Sequence, residues 1–412
     1  MGSYKKERIE GMEIFEKERR VPVAGNYDVC VCGGGIAGVA AALAAARNGG
    51  KTLLIEKGYM LGGLATAGLV TIYLPLCDGE GRQVSFGIAE ELLRLSVKHG
   101  HETRTGKPSL DGVGWLYDCT PENRKEHRYM VQFNAAVFAI LCEQILRQAG
   151  VDILLGTSVC AADVKNEKIT AVITENKSGR QAYTARSFVD ATGDADLCKL
   201  SGASTAEFQH GNVLAYWYYE HLDKEYRLRM LGFADHIDRP PTPESAEQKR
   251  YKGLDGKELS DMTQEAHEKI LADFLAQGGV SARHALATVA TTPQIRMTRR
   301  LDGVYTLQKA EKFTAFDDSI GMIGNWRERG PVYEIPLRSL YGREIKNLSA
   351  CGRCFSVDEL MWDISRVIPP CAVTGQAAGT AAAMTDDLHT LDVKILQNKL
   401  QNDGVKLHLS DL

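Results

Sequence analysis

The sequence predicts an α/β fold: a strand–helix–strand unit, a β-meander and a second, α+β domain placed before the chain returns to the first. Three observations carry this. Residues 27–32 form an apolar run, followed by a glycine-rich turn, an alanine-rich stretch and a second apolar run at Thr52–Ile55. After Gly150 come short alternating runs divided by turn residues. From about 205 to 330 the composition shifts toward Tyr, Arg and His, and strand-like runs resume beyond it.

Each element has a local reason. Residues 1–25 are a charged lead-in ending in Val21-Pro22-Val23-Ala24-Gly25. Residues 37–47 are alanine-rich, with high helix propensity, and stop at Asn48-Gly49-Gly50. Residues 134–149 place Val137, Phe138, Leu141, Ile145 and Leu146 at helical spacing and end at Gly150. The alternating runs 153–155, 159–164, 169–174, 182–185 and 188–191 read as the meander, with turns at Asn166-Glu167 and Lys177-Ser178-Gly179. Pro240-Pro241-Thr242-Pro243 marks a break, and residues 263–276 predict a helix. Strands are expected at 332–335 and 348–351, and a small-residue helix at 372–384.

Composition excludes some functions. With 49 basic against 53 acidic residues and a net charge of −4, the chain lacks the basic surface that phosphate neutralisation requires, so no nucleic-acid partner is expected. Ten cysteines in 412 residues are too sparse for a disulfide scaffold and read as free, buried thiols of a reducing compartment. The polar N-terminus lacks the apolar stretch of a secretory signal, and no apolar run reaches the ~18 residues of a membrane span. The expectation is a soluble, cytoplasmic protein with no membrane partner. No repeat or metal-ligand spacing stands out; His99 and His101 form the one close His pair and stand beside no Cys/Asp cluster, so no metal is expected.

Gly33-Gly34-Gly35-Ile36-Ala37-Gly38 follows a strand and opens a helix. That is the context of a Rossmann-like dinucleotide site: Gly33 for the tight turn, Gly35 for approach to a pyrophosphate, Gly38 for close helix packing. Glu56 ends the second strand where a carboxylate accepts bonds from a ribose and disfavours a 2′-phosphate. Further small-residue segments follow: Leu61-Gly62-Gly63-Leu64-Ala65-Thr66-Ala67-Gly68, Ala191-Thr192-Gly193-Asp194-Ala195-Asp196, Cys351-Gly352-Arg353-Cys354-Phe355-Ser356 and Val373-Thr374-Gly375-Gln376-Ala377-Ala378-Gly379. The 40 glycines exceed the usual share of about 7%, and many fall in these segments.

In this order the segments resemble the FAD-dependent oxidoreductases with two dinucleotide-binding domains, related to the fumarate-reductase and heterodisulfide-reductase flavoproteins. The resemblance covers about 21–205 and 330–385 and is thin between. It implies a glutathione-reductase-type FAD-binding domain over 26–204 and 331–412, with a substrate or cap domain over 205–330. It implies Glu56 and Lys57 at the adenosine ribose, Val159 at the adenine, and Ala191, Thr192 and Gly193 near the pyrophosphate. Gly62, Gly63, Leu64, Ala65 and Thr66 would line the flavin. Gly352, Arg353 and the helix start at Gly375, Gln376, Ala377 and Ala378 would close over it, where a helix dipole favours the reduced anion. Residues 57–68 contain no His, so the FAD is expected to be non-covalent.

Arginines are the candidates for substrate chemistry, because a planar guanidinium binds carboxylates bidentately. Arg366 and Arg353 are the candidate catalytic residues, and Arg296 and Arg338 the candidate substrate ligands; Arg299 and Arg300 adjoin Arg296. The Cys351-x-x-Cys354 pair, Cys371 and the aromatic run Tyr216-Trp217-Tyr218-Tyr219 read first as packing. His210 and His284 do too. The function expected is hydride transfer between a small hydroxylated or carboxylated metabolite and flavin N5. The alternative is an electron-transfer subunit with an acceptor protein as partner; a tRNA-modifying flavoprotein fits the charge poorly. Substrate identity and oligomeric state are not written in these motifs.

Overall fold

The computed structural model describes residues 13–102, 113–116, 118, 120–232, 237 and 247–412. The Pro240-Pro241-Thr242-Pro243 break, Cys119 and residues 1–12 of the N-terminal lead-in lie outside the described residues.

The first elements are β1 (Val23–Cys32), α1 (Ile36–Arg47), β2 (Thr52–Ile55), β3 (Ile72–Tyr73), α2 (Ile88–Ser96), α3 (Pro121–His127), β4 (Val131–Gln132), α4 (Ala135–Gln148) and β5 (Asp152–Leu154). The meander follows as β6 (Ser158–Lys165), β7 (Lys168–Asn176) and β8 (Gly179–Asp190), then α5 (Asp196–Ser201). Next come β9 (Thr205–Glu207), β10 (Tyr218–Leu222), β11 (Glu225–Arg229), α6 (Gly256–Ala276), β12 (His284–Val289), β13 (Arg299–Leu301) and β14 (Ser319–Gly324). Last are β15 (Val332–Pro336), β16 (Leu348–Ala350), α7 (Glu359–Ser365), α8 (Ile368–Met384) and α9 (Val393–Asn402).

A seven-stranded sheet runs β5–β2–β1–β8–β7–β6, with β16 added beside β8. Strands β5, β2, β1, β8 and β16 are parallel, while β7 runs antiparallel to β8 and β6 antiparallel to β7. Two expectations change here. The run at 153–155 leaves the meander, because β5 pairs in parallel with β2. The runs at 182–185 and 188–191 are one strand: β8 spends its first half against β7 and its second against β16, so one strand serves both the meander and the parallel sheet. Strand β1 starts at Val23, earlier than the apolar run, because its polar first half still pairs with β8.

The second half of β1, Val29–Cys32, is apolar throughout and buried on both faces, as in a parallel sheet covered on both sides. Val29 and Val31 face the main core with α1 and α8, and Cys30 and Cys32 face the core under the meander. Both thiols are free, fully buried packing groups. Helix α1 is apolar all round because it lies between sheet and helices; Ala40, Ala41, Ala42 and Leu43 are fully buried. It meets α8 almost backbone to backbone: a Cβ on Gly375 would stand 2.3 Å from the Ala37 carbonyl oxygen, and one on Gly379 2.0 Å from that of Ala41.

The segment from 205 to 330 carries a three-stranded sheet, β11–β10–β12, covered by α6 through Tyr218, Ile270 and Phe274. Helix α6 starts at Gly256, before the apolar periodicity begins, because the Asp255 carboxylate accepts the Glu258 N–H at 2.8 Å and caps it. His284 Nε2 and Glu220 Oε2 pair at 3.1 Å inside this sheet, buried and structural. The expected boundary at 330 falls in the turn of the β14–β15 hairpin.

Gly379→Ala should lower stability by about 1–3 kcal/mol in denaturant unfolding, because the added methyl overpacks the helix contact. Helix propensity alone predicts the opposite sign, a gain of about 1 kcal/mol; a stabilised variant would contradict the contact.

Candidate functional site

Four backbone turns converge on one cavity of about 720 Å³. The first is Gly33 to Ala37. Gly33 has φ +105°, and a Cβ there would stand 2.4 Å from the Ala191 carbonyl oxygen. Gly38 sits just beyond, where a Cβ would stand 1.8 Å from the Gly33 carbonyl oxygen, so it serves packing and does not line the cavity. Gly35 is the N-cap of α1, with no side chain capping the helix. No heavy atom lies within 4 Å of a Cβ built on it: the space above it is open. An uncapped helix start on a cavity is an anion site in waiting.

The second turn follows β2. Glu56 accepts the N–H of Gly34 and that of Gly58, both at 2.6 Å, which fixes its carboxylate at the cavity beside Lys57. A carboxylate has lone pairs beyond two such bonds. Gly62, with φ +100°, donates to the Gly34 carbonyl at 2.8 Å, drawing Gly62, Gly63, Leu64 and Ala65 along the same wall. Thr66 turns inward and donates to the Leu61 carbonyl, closing that turn from behind.

The third turn ends β8. Buried Asp190 accepts Thr192 N at 3.0 Å, Thr192 Oγ1 at 2.7 Å and Cys198 N at 2.8 Å, setting Ala191, Thr192, Gly193 and Asp194 at the cavity. The fourth ends β16. Gly352 has φ +78° and lies over α1, where a Cβ would stand 2.6 Å from the Ala37 Cβ. Arg353 donates to the carbonyls of Ile295 and Arg296 at 3.2 and 2.7 Å and reaches Asp194 Oδ1 at 3.3 Å.

One expectation is corrected. Helix α8 starts at Ile368, not near Gly375, because Pro369 and Pro370 occupy its first turn, where no backbone N–H is needed. Val367, Ile368 and Cys371 therefore reach the cavity. Gly375, Gln376, Ala377 and Ala378 are buried inside the helix, away from it; Gln376 Oε1 instead accepts the Ile88 N–H at 2.8 Å. Val159 lies on β6, packed on the core under the meander and outside the cavity lining.

The same cavity is lined by Arg296, Arg327, Arg353 and Arg366. Asp363, buried beneath, accepts Arg366 Nη2 at 2.6 Å and Arg366 Nε at 3.1 Å on one oxygen and Arg327 Nε on the other. Burial opposes its charge, but Arg366 and Arg327 outweigh that and hold its carboxyl below the usual range. Trp326 donates to the Asp363 carbonyl at 2.9 Å, with Arg327 and Arg366 at 4.2 and 5.6 Å from its ring centre. Arg296 lies 5.3 Å from the ring centre of Trp217 and donates to the Gln294 carbonyl at 2.9 Å. Burial, then repulsion from Arg366, Arg353 and Arg327, lowers it to about 9 against the attraction of Asp363, so it is still cationic at neutral pH.

Arg338 is elsewhere: it pairs with Asp318 at 3.0 Å beside the Tyr305 ring and does not line the cavity. Arg299 pairs with Asp196 at 2.7 Å, and Arg300 lies beside Trp362. Cys351 and Cys371 line the cavity, whereas the Cys354 thiol donates to the Cys351 carbonyl, so the Cys-x-x-Cys thiols do not share a face on it. Burial pushes the Cys371 thiol up to about 12. Among the described residues no group of His, Cys, Asp or Glu could hold a metal, and no helix is long and apolar enough to cross a membrane.

Sequence reasoning missed Asp194, Asp363 and Trp326. Asp194 had a signal, since it adjoins Ala191-Thr192-Gly193. Asp363 stands three residues before Arg366, a helical ion-pair spacing.

The sequence profile of the family described as "FAD dependent oxidoreductase" matches residues 28–214 and 217–401. A vinyl phenol reductase of Lactiplantibacillus plantarum is 37% identical over 102 residues, 23% of this chain; the match spans only 20% of that reductase's length. Among solved structures, p-nitrophenol 4-monooxygenase PnpA of Pseudomonas putida DLL-E4 aligns over 93% of this chain and 82% of its own, at 11% identity and a TM-score of 0.45. A geranylgeranyl bacteriochlorophyll reductase-like protein of Thermoplasma acidophilum aligns over 93% of both chains, at 12% identity and a TM-score of 0.44.

Gly35→Leu tests the open space directly. The variant should fold, because its side chain meets no protein atom at the Cβ, and it should lose the 450 nm absorbance of bound flavin. A folded Gly35→Leu protein with full flavin content would mean that this turn does not face the cofactor.

Proposed function

The chain belongs to the FAD-dependent oxidoreductase family, and we propose that it passes a hydride between a small hydroxylated or carboxylated metabolite and N5 of its flavin. FAD supplies the two-electron acceptor or donor when bound. The residues present fit that group: open space over Gly35, the uncapped start of α1 and the fixed Glu56 carboxylate suit its pyrophosphate and ribose. Gly62, Gly63, Leu64, Ala65, Gly352 and the start of α8 offer backbone and small side chains to the flavin.

The observation that carries the reading is the charge of this cavity. Four guanidiniums line it, and the carboxylates bonded to them are Asp363 and Asp194. The surplus is positive, in walls that include Trp217, Met230 and Trp326. Such a site draws in an anionic or hydrogen-bonding substrate and holds it still, which is how positioning lowers a hydride-transfer barrier. Arg366 and Arg353 act by orientation: both line the cavity, and each is clamped by a carboxylate or by carbonyls that use only some of its N–H groups. Asp194 already accepts Thr298 Oγ1 at 2.7 Å and Arg353, and no His or Tyr lines the cavity among the described residues.

Anaerobic titration of the yellow protein with hydroxy acids, carboxylates and sugars should bleach the flavin with one class of them. Bleaching that needs a co-purifying protein would favour the electron-transfer alternative. Arg366→Ala should lower kcat/KM about 10- to 100-fold, the loss of a hydrogen bond to a charged group, with the flavin spectrum intact. Unchanged kinetics would remove Arg366 from the site. Acid precipitation should release FAD into the supernatant and leave a colourless pellet, since residues 57–68 hold no His for a covalent link; a yellow pellet would contradict this.

A further inference from the structure

We infer that the substrate is a carboxylate with an apolar body, and that Arg296 receives its charge. The inference rests on the hydride-transfer reading above for the word substrate, but its geometry is independent of it. The four cavity arginines differ in one respect. Arg327 and Arg366 share Asp363, and Arg353 has Asp194. Arg296, 6% exposed, is the one cavity arginine among the described residues with no carboxylate in contact. Its Nη1 donates to the Gln294 carbonyl, while Nε and Nη2 make no hydrogen bond among the described residues.

A buried charge with no carboxylate in contact is costly, and the neighbouring guanidiniums of Arg366, Arg353 and Arg327 add to that cost, which the attraction of Asp363 offsets only in part. The fold nevertheless holds Arg296 in place. Its guanidinium is laid against Trp217, whose own N–H groups are fixed to Gln294 Oε1 at 2.8 Å and the Gly232 carbonyl at 2.9 Å. Gln294 is tied in turn to the Gly68 carbonyl, so the arginine is anchored to the wall that carries Gly62 to Ala65. An oriented, desolvated cation with unused donors facing a cavity fits one ligand chemistry: a planar anion that takes two N–H groups. A hydroxyl alone would leave the charge uncompensated. Besides Trp217, the cavity lining includes Leu74, Met230, Leu259 and Pro293, which suits a hydrocarbon or aromatic body better than a polyol.

The test uses oxidised holoenzyme and three carboxylates, benzoate, trans-cinnamate and hexanoate, each against its neutral amide, read by the flavin difference spectrum. Wild type should bind at least one carboxylate tenfold or more tighter than its amide. Arg296→Met should lose that preference while keeping amide binding and full flavin content, and should melt at a higher temperature, since it removes an uncompensated charge. Arg296→Lys should restore part of the preference. Three results would overturn the inference: no carboxylate preference in wild type, a preference that survives in Arg296→Met, or loss of FAD in that variant, which would make the cofactor the anion. Arg296-dependent carboxylate binding without bleaching by any metabolite would retain the anion site and remove the hydride-transfer reading instead.

Discussion

The structure depends on the near absence of side chains between α1 and α8. Gly375 and Gly379 lie against the carbonyls of Ala37 and Ala41, residues more than 300 positions earlier in the chain. That contact holds the last third of the chain on the first nucleotide-binding turn. It sets Gly352 over Ala37 and the start of α8 beside the start of α1, so one cavity receives turns from both ends of the chain. Remove the small residues and the helices separate; the walls would then no longer converge. Glycine works here by two routes. At Gly375 and Gly379 it permits contact within the protein, and at Gly35 it leaves room for something that is not protein.

The second constraint is electrostatic. A cavity with four guanidiniums is stable only because Asp363 and Asp194 neutralise part of the charge, and because carbonyls of Gln294, Ile295 and Arg296 take further N–H groups. What is left unneutralised is work the fold does against itself, and natural proteins keep such features where a ligand later compensates them. On the proposed reading, family membership and the cavity describe two halves of one site: backbone turns for a dinucleotide and charged side chains for its reaction partner.

How much of this was legible depended on the range of the interaction. The strand, the turn at Gly33 to Gly38, the helix and Glu56 are governed by neighbours in sequence, and their type and order could be read directly. The start of α8 could not, because Pro369 and Pro370 look like a break in isolation and become a helix start only once the chain has bent at Val367. Strand β8 reads as two runs since its two halves meet different partners. The arginines show the limit most clearly. Arg296 and Arg338 look alike in sequence, yet Arg338 pairs with Asp318 while Arg296, on the segment just before β13, is buried against Trp217. Ion-pair partners distant in sequence decide which arginine is spent on structure and which is left to bind.

The central claim, one dinucleotide site built jointly by the two ends of the chain, is tested most directly by equilibrium titration of the flavin-stripped protein with FAD. Flavin fluorescence and melting temperature would be followed together, with NAD and NADP as controls. The account predicts saturation at one FAD per chain with a rise in melting temperature, and no comparable effect of either nicotinamide cofactor. Absence of binding, or equal binding of NAD, would contradict it.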